Sequence, residues 1–69
     1  MASDEVKRDL ARRIYALRPG DIDAAIDLAA DLIAADYWTR ETAEMVGQTV
    51  VTNAKQSQEY LSRLATLKA

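Results

Sequence analysis

The chain has 69 residues with 11 acids, 9 bases, no Cys and no His, which excludes a disulfide framework, a thiolate metal site and any role for imidazole. Apolar residues make up 49% of it, but 13 of them are Ala, so 21 larger side chains, Met1 included, remain to build a core. That is little for a chain well under the roughly 150 residues of a typical domain, and it predicts a single helical domain over residues 1–69 that draws part of its stability from association.

Charge is segregated along the chain. Residues 1–5 sum to −2, 7–18 to +4, 21–44 to −6 and 45–69 to +2. A basic first third beside an acidic middle predicts pairing between segments or between chains, and does not favour polyanions. The opening Met1-Ala2-Ser3-Asp4-Glu5 has no apolar stretch of signal-peptide type, and no run is long enough to span a membrane. A cytoplasmic protein with no membrane partner is expected.

Ser3 followed by Asp4 and Glu5 reads as a helix start, because a hydroxyl accepts a first-turn amide and acids favour the positive end of the helix dipole. Val6, Leu10, Ile14 and Leu17 then lie at spacings of 4, 4 and 3, one apolar face of a helix over about 3–18. Arg18-Pro19-Gly20 ends it, since the residue before proline avoids helical geometry and glycine permits a reversal. On the outward side Tyr15 neighbours Arg8, Arg12 and Arg18. This is the composition of a protein-binding hot spot, set against the plainer reading of a tyrosine lying along its own helix among ordinary ion pairs.

Asp21 is positioned to cap a second helix over 21–36, with two apolar rows: Ile22, Ile26, Ala29, Ile33 and Ala25, Leu28, Leu32, Ala35. Two rows predict two packing neighbours. On the opposite side Asp23, Asp27 and Asp31 fall at i, i+4 and i+8 as an acidic stripe. It is either solvated or neutralised by the arginines of the first helix, or else it recognises a basic partner surface. Asp21-Ile22-Asp23 lacks the further oxygen ligands and glycine of a calcium loop, so no metal is expected.

Tyr37-Trp38 is expected to plug the end of a helical hairpin, and Thr39 to cap a third helix. From there Val46, Val50, Asn53, Ser57, Tyr60, Leu64 and Leu67 alternate at spacings of 4 and 3, with Leu61 alongside. This coiled-coil spacing predicts one long helix over 39–67, despite the β-branched run Thr49-Val50-Val51-Thr52. Such a helix reaches about 40 Å, against about 24 Å for each of the others, and its overhanging end needs cover. The fold class predicted is all-α, a helical hairpin of three helices with a long C-terminal member, assembled as a dimeric helical bundle. The self-association interface would comprise Val46, Val50, Asn53, Ser57, Tyr60, Leu61, Leu64 and Leu67. Within it Asn53 and Ser57 either fix the register or face solvent as the seam drifts.

No paired carboxylate frame or glycine-rich phosphate loop accompanies these helices, and hydroxyls without a base are not nucleophiles, so no enzyme and no cofactor are expected. The function predicted is a small protein-protein interaction module, an adaptor, inhibitor or assembly factor that docks as a homodimer on a larger protein. Its partner-binding residues would be Arg8, Arg12, Tyr15, Asp23, Asp27 and Asp31. Competing readings are a structural subunit of a helical assembly and a helix-turn-helix DNA-binding regulator. Glu41 and Glu44 weaken the second, because on a reading helix starting at Arg40 they would repel phosphates.

Overall fold

Among the described residues four helices form instead of the three predicted. The computed structural model describes residues 3–68, the side chain of Lys68 apart; Met1, counted above towards the core, lies outside them with Ala2 and Ala69. In chain order the helices are α1 (Asp4–Ala16), α2 (Ile22–Ala34), α3 (Arg40–Val50) and α4 (Ala54–Lys68), with no strand among the described residues.

Each of the first three helices starts at the predicted cap. Ser3 Oγ accepts the Val6 amide at 3.2 Å, and the Asp21 carboxylate accepts the Ala24 amide at 3.2 Å. Thr39 and Thr42 cap α3 reciprocally: the Thr39 hydroxyl accepts the Thr42 amide at 3.2 Å, and the Thr42 hydroxyl accepts the Thr39 amide at 2.9 Å. Thr42 is buried, and its hydroxyl also reaches the Tyr37 carbonyl at 2.8 Å, which fixes the angle at which the chain enters α3.

The ends differ in mechanism. Leu17 leaves α1 in extended geometry, and Gly20 turns the chain at φ +84°. After α2, Asp36 adopts φ +55°, while the amides of Asp36 and Tyr37 donate to the carbonyls of Ile33 and Leu32 at 3.0 and 2.8 Å. Those two bonds satisfy the last carbonyls of the helix and separate α2 cleanly from α3.

The predicted helix over 39–67 is broken. Val51 ends α3 with ψ 118°, in the β-branched run, and Asn53 restarts the chain by accepting the Gln56 amide at 2.9 Å. Gln56 Oε1 reaches back to the Thr52 amide at 2.8 Å and to its hydroxyl at 2.6 Å, a side-chain clasp around the link. Asn53 and Ser57 therefore do not sit in a continuous seam: the first is a cap and the second lies in the first turn of the next helix.

This break folds α4 back onto α2, which packs against α1, α3 and α4 and so has three neighbours where two were predicted. Its Ile22, Ala25, Ile26, Leu28, Ala29 and Leu32 are all buried. Around them close Leu10 and Ile14 of α1, Val46 and Val50 of α3, and Tyr60 of α4. No 40 Å rod overhangs. The body measures 35 × 26 × 18 Å with a radius of gyration of 11.4 Å, close to the roughly 11 Å of a self-contained chain of this length. Among the described residues no helix is long and apolar enough to cross a membrane.

Candidate protein-docking groove

The α3–α4 break leaves an open apolar groove of about 520 Å³ lined by residues of both helices. Its α3 wall carries two rows at helical spacing. Ala43, Gly47 and Val51 are small or apolar, and Arg40, Glu44 and Gln48 form the rim beside them. Leu61 and Leu64 stand on the α4 wall, and Trp38 closes one end. Leu64 is half-buried, but Leu61 keeps 58% of its surface in water. On the rim Arg40 Nε donates to Glu44 Oε1 at 3.4 Å, a weak and exposed contact that holds neither side chain firmly.

Beneath these walls Tyr60, only 5% exposed, forms the floor. A Cβ built at Gly47 would meet its ring carbon Cε2 at 3.7 Å, so the glycine opens the groove without being required by a clash. The Tyr60 hydroxyl is enclosed and has no hydrogen-bond partner among the described residues. Removal from water raises its pKa above the ordinary 10.0.

The residues expected to self-associate thus divide. Val46 and Val50 are completely buried in the chain's own core, Tyr60 nearly so, and Asn53 caps α4. Ser57, Leu61 and Leu64 line the groove, while Leu67 sits farther along α4 near Ile33, Asp36 and Trp38. The residues missed by sequence reasoning are Arg40, Ala43, Glu44, Gly47, Gln48 and Val51. Ala43 and Gly47 stand four apart on α3, and small side chains at that spacing make a shallow face.

The proposed partner-binding residues divide as well. Tyr15 projects from α1 with 79% of its surface exposed; Arg8 beside it is exposed, and Arg12 pairs with Asp9 at 3.1 Å. On α2, Asp31 receives Arg13 from α1 at 2.6 Å, and Asp23 receives Arg63 from α4. Basic side chains from both flanking helices therefore take up two of the three carboxylates within the chain, and Asp27 alone lacks an ion pair among the described residues. Trp38 and Tyr37 are half-buried against the core, and Lys7 Nζ stands 5.4 Å above the Tyr37 ring. Three or more acidic, His or Cys side chains arranged for a metal ion are absent from the described residues.

A scan against protein-family models, a search of curated proteins and a search of solved structures each find no match to the chain.

Proposed function

We propose that the chain is a non-catalytic protein-interaction module that acts as an adaptor, inhibitor or assembly factor by occupying a surface of a larger protein. One observation carries this reading: a small chain with little core to spare leaves an open apolar groove, with Leu61 58% exposed at its edge. Binding sites are typically apolar concavities that carry a few polar side chains. Tyr15 adds a second feature of the same kind on α1, an exposed aromatic among arginines. The acidic stripe contributes less than its sequence spacing suggests, because Arg13 and Arg63 already engage it.

The experiment is native affinity capture of the tagged chain, followed by calorimetry of the purified partner against wild type, Tyr15→Ala and Leu61→Asp. A single stoichiometric protein is expected, bound at least about tenfold more weakly by one of the two variants, with unchanged melting temperatures. A chain that captures no stoichiometric protein, or a partner indifferent to both substitutions, overturns the reading.

A further inference from the structure

We infer that the α3–α4 link is a hinge through which two copies of the chain exchange α4. Residues 51–53 turn helical, α3 and α4 join into one rod, and each rod lays its α4 half on α2 of the other copy. The seat is the one α4 already occupies: Tyr60 buried in the core, Leu64 packed against it, and Arg63 paired with Asp23 of α2. No new complementarity is needed, because an exchanged element repeats between chains the contacts it makes within one. The hinge does not depend on what docks in the groove. In the exchanged pair, however, each groove takes Leu61 and Leu64 from the second copy.

The link has the composition and bonding of a hinge. Only Val51, Thr52 and Asn53 separate the helices, and none is Gly or Pro, so no residue there breaks a helix. The bend is held by bonds that a rod replaces. Gln56 Oε1 accepts the Thr52 amide, Asn53 Oδ1 accepts the Gln56 amide, and the Val50 carbonyl accepts the Gly20 amide. In a rod the Thr52 and Gln56 amides donate to Gln48 and Thr52, four residues back, and the Val50 carbonyl receives Ala54. Gly20 is exposed and gives its amide to water. The α4 helix packs chiefly on α2, so parting it from α3 gives up little directly between those two.

The spacing of 4 and 3 then acquires a use. It runs through the link from Val46 and Val50 to Tyr60 and Leu64, although two helices with separate axes need no common phase. A rod does need one: Val46 and Val50 cover their own α2 while Tyr60 and Leu64 cover another, all from a single stripe. Asn53 and Ser57, the polar members of that stripe, fall at the hinge between the two cores. In a lone chain straightening would strip Tyr60 and Leu64 of cover, which keeps the chain bent until a second α2 is at hand.

Sedimentation of the full chain from about 1 to 500 µM, equilibrated through partial unfolding in urea, is expected to approach twice 7.6 kDa at the upper end. The Asn53 cap serves only the bent form and is lost once per chain. Asn53→Ala should therefore lower the dissociation constant by about 30-fold, even as it destabilises the monomer. Thr52→Pro should stay monomeric, since Val51 is already extended as a residue before proline must be, while a proline inside the rod breaks it. Geometry is read directly by spin labels on Glu41→Cys and Thr66→Cys, exposed positions in a chain without other cysteines. In the monomer the labels are close, because Trp38 and Leu67 line one cavity. In a dimer formed with excess unlabelled chain they should lie about 38 Å apart, the rise of a rod from 41 to 66. A dimer whose labels stay close overturns the inference. So do wild type and Asn53→Ala that both remain at 7.6 kDa, or a folded Thr52→Pro that dimerises like wild type. Each of these outcomes leaves the docking of a larger protein in the groove intact.

Discussion

The Gly20 amide donates to the Val50 carbonyl at 2.7 Å, joining the α1–α2 turn to the last residue of α3. Thirty residues apart in sequence, the two meet because the chain reverses at both places on the same side of the molecule. Gly20 holds φ +84°, and a Cβ there would stand 3.3 Å from Gln56 Nε2, the amide whose oxygen clasps Thr52. One residue thus supplies a left-handed turn, a tie to α3 and room for the α3–α4 link.

Replacing Gly20 with Ala tests that convergence. The left-handed conformation costs an L-residue about 1–2 kcal/mol, and the flexible end of Gln56 yields to the methyl group. Urea unfolding followed by helical circular dichroism is expected to show a loss of about that size. A loss under about 0.3 kcal/mol would mean that the turn relaxes freely and that the bond to Val50 does not constrain it.

Asn53→Ala separates the observed architecture from the one its spacing suggested, because the two differ in sign. As the cap of α4, Asn53 holds the Gln56 amide at 2.9 Å, and its loss costs about 1 kcal/mol. Inside an unbroken helix over 39–67, the same substitution would replace a poor helix former by the best one and stabilise by about half that amount. Destabilisation is expected, with Asn53→Asp close to wild type.

That break shows where sequence reasoning succeeds and where it stops. Ser3, Asp21 and Thr39 were identifiable as caps because capping is local: a short polar side chain needs only the next three residues to act. Asn53 with Gln56 three residues on carries the same signal, but the 4 and 3 spacing ran through it uninterrupted. Tyr60 and Leu64 keep the phase of Val46 and Val50 although they belong to a different helix with a different axis, and periodicity does not record a change of axis. The β-branched run Thr49-Val50-Val51-Thr52 was the contrary evidence, and Val51 is where extended geometry wins. The groove follows from the angle between α3 and α4, which no local residue pattern specifies. Its small residues were visible and its existence was not.

Thr42→Val is expected to be far from conservative. The side chain keeps its volume but loses a hydroxyl that reaches the Tyr37 carbonyl at 2.8 Å and accepts the Thr39 amide at 2.9 Å in a buried setting. Leaving those partners unsatisfied costs about 1–3 kcal/mol. Thr42→Ser, which keeps the hydroxyl, should lose less than Val in urea unfolding. The reverse order would show that the methyl group, not the hydroxyl, matters there.

Tyr60→Phe should do the opposite, and its effect should depend on pH. At neutral pH the substitution removes a buried hydroxyl that has no partner among the described residues, so stability is expected to stay the same or rise by up to about 1 kcal/mol. In alkali a second effect appears. Burial raises the Tyr60 pKa above its ordinary 10.0, so above that pH the unfolded chain releases the phenolic proton while the folded chain still holds it. The folded state then binds more protons, and stability falls as pH rises. The contribution is intact below pH 10 and is lost progressively as pH climbs through the raised folded value. Urea midpoints for wild type and Tyr60→Phe should therefore run parallel between pH 7 and about 9.5 and diverge above it, with the phenylalanine variant falling less steeply. Curves that stay parallel to pH 11 would mean that the ring ionises in the folded chain as freely as in water, and would overturn the raised pKa.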